Sequence, residues 1–221
     1  LDVGCGSGAT SVYFSDYFKT TGIDLDPYNT FHSLKEKNNN LEIKNISIFD
    51  SYLNDKKYDF ISYCHVLEHV YDIDKELERV QNLLNENGYL YVELPGINKI
   101  YKWTKNGFFD SLHIAHTYYF TLGTLKNFLN KKNFELVNGN ELILSLWKKK
   151  NDIISNSYNH YPNIKKKLYF YDNKILMFFS KFLLEFIEGA IRLSKLILKK
   201  LKIFNIVKYF FLKYVKKNKF L

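Results

Sequence analysis

Glycines at alternate positions, Gly4, Gly6 and Gly8, let a chain turn sharply and let a ligand touch bare main chain, because no Cβ intervenes. Between a strand and a helix, such a turn directs peptide N–H groups at a polar ligand. Asp24 ends the next apolar run, about 16–20 residues further on, a spacing that suits one β–α–β step. A carboxylate there can accept both hydrogen bonds of a ribose diol. Asp50 closes a third apolar run and is expected at the same edge. A second group can move protons. Cys64, His65, Glu68 and His69 follow a fourth apolar run, and His113 and His116 precede the aromatic run 118–120. Imidazole can take a proton from a hydroxyl near neutral pH, so His116 and His69 are the candidate catalytic residues, in that order. A histidine ahead of a helix also serves as a structural hydrogen-bonder. Trp103, Phe108 and Phe109 are candidate walls for an acceptor.

The elements that must position these residues alternate. Strands are expected at 1–3, 21–25, 41–48, 58–64, 89–94, 134–137 and 142–146, with helices at 10–18, 30–36, 73–85, 98–106 and 122–131. Strand–helix alternation is the pattern of an α/β fold with a doubly wound, seven-stranded, mainly parallel sheet, whose ligands bind beyond the carboxyl ends of the strands. The clearest helix carries Ile73, Leu77, Val80, Leu83 and Leu84 at helical intervals, with Gly88 expected as its stop. Between the last two strands stands Asn138-Gly139-Asn140, which predicts a tight Asn-Gly turn and an antiparallel pair at the sheet edge.

With LDVGCGSG, GIDLDP, a strand running to Asp50, YDFISYCHVLEHV, NENGYLYVELPG and HTYYFT in this order, residues 1–147 resemble the class I S-adenosylmethionine-dependent methyltransferases. The resemblance implies S-adenosylmethionine as cofactor. It places Asp2, Gly4, Gly6 and Gly8 at the methionine end, Asp24 on the ribose hydroxyls and Asp50 at the adenine amino group. Cys64 then lies where cofactor and acceptor meet. A dinucleotide fingerprint would need Gly-x-Gly-x-x-Gly, and here the third glycine comes one position early. Some similar enzymes that need a divalent ion carry Glu-x-x-Glu-His where this chain has His65, Glu68 and His69. Many metal-independent ones share the Glu-His pair, and no metal is expected. Transfer to oxygen of a small molecule or glycan precursor is what the likeness suggests. An isoprenoid-quinone type of enzyme and a non-catalytic cofactor-binding protein are the alternatives.

Composition sets the remaining bounds. At 46% hydrophobic and 25% charged the chain is of ordinary globular composition, and 221 residues suffice for one large core and an appendage. The organisation reads as a methyltransferase domain at 1–150, a linker at 151–162 and a basic helical tail at 163–221. Residues 163–221 hold 15 basic and 3 acidic side chains against 17 and 20 in the rest, so the net charge of +9 resides in the tail. Positive charge away from the candidate cleft argues against a nucleic-acid substrate. In the tail, charges from Lys174 to Lys202 fall on one helical face, opposite Phe178, Phe182, Phe186, Ile187 and Ile191. That stripe fits either an anionic membrane surface or a protein partner. Two distant cysteines and no leader-like opening suggest a cytoplasmic protein, peripheral at the inner membrane face if the tail binds lipid. The opening at Leu1, directly on a strand, suggests that residues precede it.

Overall fold

The computed structural model describes residues 1–25, 39–99, 112–151, 159–172, 182–183, 185–194 and 196. The helix expected at 30–36 lies outside these residues, as do most of that expected at 98–106, the three aromatics at 103, 108 and 109, and both Lys174 and Lys202.

Seven strands form one sheet: β1 (Asp2–Val3), β2 (Thr20–Ile23), β3 (Leu41–Lys44), β4 (Tyr58–Cys64), β5 (Leu84–Glu93), β6 (Phe134–Gly139) and β7 (Leu144–Lys149). Their order is β3-β2-β1-β4-β5-β7-β6. β1 pairs in parallel with β2 on one side and β4 on the other, and β7 runs antiparallel to both β5 and β6. The winding therefore reverses at β1, which opens a crevice beyond the carboxyl ends of β1, β2 and β4. Central strands covered on both faces must be apolar or internally satisfied. In β4, Ile61, Ser62 and Tyr63 are all fully buried, and the Ser62 hydroxyl finds its acceptor on Asp2.

Helix α1 (Ala9–Ser15) starts at the glycine turn. Helix α2 (Ile73–Leu83) buries Ile73, Leu77, Val80 and Leu83 against the sheet, and the Asp72 carboxylate caps its first turn by accepting from Lys75 N. Helix α3 (Leu122–Lys131) begins in a capping box between Thr121 and Thr124. Leu90, Val92, Leu125, Phe134 and Trp147, all fully buried, continue the core between α3 and the sheet. By internal contacts the chain forms two compact units, Leu1–Pro162 and Asn163–Leu221. Helix α4 (Tyr161–Asp172) and the helical residues 182–183, 185–194 and 196 are the regular structure described beyond β7.

Several boundaries differ from expectation. Helix α2 ends at Leu83 because Leu84, fully buried, turns extended and pairs with Tyr58, so β5 starts at once and Gly88 lies inside it. Asn87 takes a positive φ of 62°, next to an irregularity in the pairing with β4. At the edge, Gly139 pairs with Ser145, so the reversal occupies 140–143 and not the Asn138-Gly139 step. There the Asn140 side chain accepts from Leu142 N and Ile143 takes the left-handed conformation, φ 54°. The third strand stops at Lys44, four residues earlier than expected, which bears directly on the site.

Candidate functional site

All three glycines of the first turn have positive φ: Gly4 65°, Gly6 49° and Gly8 69°. An ordinary residue pays for that conformation, so the turn needs glycine on backbone grounds alone. Their surroundings differ. A Cβ on Gly4 would collide with Val66, whereas one on Gly6 would meet nothing within 4 Å among the described residues. Gly6 thus presents bare main chain to open space. Its N–H donates to Asp24 Oδ2 at 2.7 Å, tying the turn to the end of β2. Asp24 N in turn donates to Lys44 O at 3.2 Å.

Beyond these strand ends lies a cavity of about 650 Å³, lined by Gly4, Asp24, Leu25, the stretch 46–49, His65, Val66, and residues 69–72 with Lys75 and Glu76. Its walls are mainly apolar, with Asp24 at one side and His65 and His69 at the other. That composition suits a ligand with flat apolar parts and a few fixed polar groups. Gly4, Asp24 and His69, expected from the sequence, reach this wall.

The other expected residues do not line it. Asp2 is only 2% exposed, beneath the turn, where its two carboxylate oxygens accept from Ser11 and Ser62 at 2.7 and 2.8 Å. Burial raises its pKa, and the two hydroxyls oppose that shift. It therefore joins α1 to β4 and holds the turn from below. Gly8 ends the turn at the start of α1. Cys64 is half-buried, a free thiol pushed up to about 12 by burial. Asp50 serves as cap of the short turn Ser51–Leu53, accepting from Tyr52 N at 2.8 Å. Because β3 ends at Lys44, residues 46–49 cross the carboxyl edge, and Phe49, 53% exposed, stands where the carboxylate was expected. Leu25, 74% exposed, faces the same cavity. The signal for this wall is Asn45, a residue poorly suited to a strand, followed by Ile46, Ile48 and Phe49.

The histidines form a second part of the site. His65 takes a positive φ of 56°, with Nδ1 3.5 Å from Glu68 Oε1 and Nε2 3.4 Å from Glu93 Oε1. A short turn, Leu67–His69, follows. The segment 113–118 is strapped across it: Thr117 N and Tyr118 N donate to Glu68 O, and His69 Nδ1 lies 3.0 Å from Ala115 O. This places the His69 and His116 rings edge to face, centroids 4.7 Å apart, with His113 stacked on His116 at 5.3 Å. Burial lowers the His116 pKa; Glu68 opposes this, while His69, His113 and His65 add to it. His116 itself sits behind His69, off the cavity wall.

Residues 1–138 match the methyltransferase-domain family. The chain belongs to that family. It is a class I S-adenosylmethionine-dependent methyltransferase, on a family match that covers the glycine turn, Asp24 and the histidine strap. Among curated proteins, none matches the sequence. Two solved structures illustrate the common fold. A SAM-dependent methyltransferase of Methanosarcina mazei is 22% identical, with a TM-score of 0.53 over 69% of this chain and 92% of that one. The 1,6-didemethyltoxoflavin-N1-methyltransferase of Burkholderia thailandensis, solved with bound 1,6-didemethyltoxoflavin and S-adenosylhomocysteine, is 17% identical, with a TM-score of 0.53 over 68% of this chain and 70% of that one. At such identities the likeness to these structures is one of fold.

Proposed function

We propose that this methyltransferase holds S-adenosylmethionine in the cavity at the end of β1 and β2 and methylates a hydroxyl of a small molecule or glycan precursor. The observation that carries this reading is the hydrogen bond that ties open, Cβ-free Gly6 to Asp24, which lines the cavity together with Gly4. The residues fit the cofactor. The Gly4–Gly6 main chain would take its methionine end, Asp24 its ribose diol, and Leu25, Ile48 and Phe49 the adenine faces, with Asp50 behind them. When bound, it supplies a methyl group on a sulfonium.

The protein's part is alignment and proton management. His69 borders the cavity, and His116, whose pKa burial lowers, backs it. A neutral imidazole can accept the acceptor's hydroxyl proton as the oxygen–carbon bond forms and the carbon–sulfur bond breaks, leaving the methyl ether and S-adenosylhomocysteine. Alignment of acceptor and methyl group supplies much of the rate. Incubation with methyl-labelled cofactor and hydroxyl-bearing acceptors, glycans and phenolic quinone precursors included, is expected to give label that survives as an ether. Label found only on nitrogen or carbon would reject the oxygen assignment.

The tail adds a location. Phe182, Phe186, Leu193 and Leu196 are each at least 60% exposed, in a region with 15 basic and only 3 acidic side chains. No described helix is long and apolar enough to cross a membrane. Exposed aromatics beside lysines suit the interface of an anionic bilayer, each basic residue near it contributing about 1 kcal/mol. The full chain is expected to sediment with phosphatidylglycerol vesicles and to be released by salt. Sedimentation unaffected by lipid charge would contradict this placement.

A further inference from the structure

Two buried polar atoms in the histidine strap, Glu68 Oε2 and His116 Nδ1, have no hydrogen-bond partner among the described residues. The Glu68 side chain is 1% exposed, whereas the other buried acids among the described residues, Asp2 and Glu76, accept from Ser11, Ser62 and Tyr63. Leaving a buried polar atom unpaired costs on the order of 1–3 kcal/mol, and more for a charged group. Both residues belong to one cluster. Glu68, His69 and His116 each bring one ligand atom to within 4.8 Å of the others.

We infer that Glu68, His69 and His116 form a binding site for a single divalent transition-metal cation of the zinc type, against the cavity wall. Two imidazoles and one carboxylate are a donor set for borderline cations, and magnesium, which prefers oxygen ligands and water, suits it poorly. The rings are oriented for it. Ala115 O can only accept, so His69 Nδ1 carries the proton and Nε2 keeps its lone pair. On the other side, the bonds from Thr117 N and Tyr118 N to Glu68 O fix the main chain that carries the carboxylate. Around a tetrahedral ion at about 2.0–2.1 Å, donors stand ~3.4 Å apart, so the cluster closes by side-chain rotation of about an ångström. His65, 3.5 Å from the other Glu68 oxygen, lies next to the cluster on the cavity side.

The site adjoins the proposed acceptor position, and a cation there would polarise the acceptor hydroxyl in place of a free imidazole. Only this use of the ion rests on the methyl-transfer reading; its binding does not. The test is titration of the chelator-stripped full chain with Co²⁺, read in the visible d–d region, with Zn²⁺ and Mg²⁺ as competitors. The expected result is one Co²⁺ per chain, displaced by Zn²⁺ and not by equimolar Mg²⁺, with affinity reduced more than about tenfold in Glu68→Gln and in His116→Ala. Absence of saturable uptake, or uptake unchanged in both variants, overturns the site. Calorimetry of the same proteins with S-adenosylhomocysteine separates the two claims. Cofactor binding without cobalt binding removes the metal site alone, and the reverse removes the cofactor reading alone. Should the variants fail to fold, cobalt-shifted proton resonances of the wild type decide: two coordinated imidazoles support the site, and none overturns it.

Discussion

Replacing Asp24 with alanine is expected to weaken S-adenosylhomocysteine binding by at least about a hundredfold, measured by isothermal calorimetry. Each hydrogen bond from a ribose hydroxyl to a carboxylate is worth about 1.5–3 kcal/mol, and two such bonds exceed the ~2.7 kcal/mol that corresponds to a factor of one hundred. The fold should tolerate the change, since the intramolecular bond from Gly6 N is at an exposed site and water can replace it. Asp24→Asn, which keeps one acceptor oxygen and loses the charge, should fall between. An alanine variant that binds as well as the wild type would move the ribose away from β2.

The second large effect separates two glycines that look alike in sequence. Gly4→Ala places a methyl group at φ 65° and against both methyls of Val66, which links β4 to the following turn. Left-handed strain of about 1–2 kcal/mol and overpacking of about 1–3 kcal/mol add, so the variant should lose about 2–5 kcal/mol of stability. In a chain of this size that is a drop in Tm of roughly 5–15 °C. Gly6→Ala carries the strain without the collision, because nothing among the described residues lies within 4 Å of its Cβ. Its stability should fall by about 1–2 kcal/mol only, while its affinity for the cofactor falls more, the new methyl group standing where the ligand approaches the main chain. Thermal melts and the same calorimetry check both. Equal loss of stability in the two variants would contradict the assignment of Gly6 to the open side of the turn.

Much of this architecture was legible before any coordinates, because period and punctuation reinforce each other. The buried positions of α2 recur at helical spacing, and the apolar centre of β4 has to be covered on both faces. The glycine turn and Asp24 could be read because each sits one residue from a strand end. What escaped depended on where strands stop. The alternating apolar residues from Leu41 to Ile48 look like one strand, but β3 ends at Lys44, so residues 46–49 cross the carboxyl edge and Asp50 caps the turn that follows. Leu84 escaped for a related reason: it continues the helical apolar pattern and is nevertheless claimed by β5, where pairing with Tyr58 outweighs helix extension. Asp2 shows a different limit. Its place in the motif suggested contact with ligand, but nothing in the local sequence indicates that Ser11 and Ser62 occupy both oxygens. The convergence of Glu68, His69 and His116 likewise spans 48 positions of chain and arises from main-chain bonds to Glu68 O that no motif encodes.

The most direct test of the cofactor site is a crystal structure of the protein with S-adenosylhomocysteine. The ribose hydroxyls should lie on the Asp24 carboxylate, the homocysteine against the Gly4–Gly6 main chain, and the adenine between Leu25 and Phe49. A nucleoside bound elsewhere on the chain, or crystals grown at saturating ligand with this cavity filled by solvent, would contradict the account.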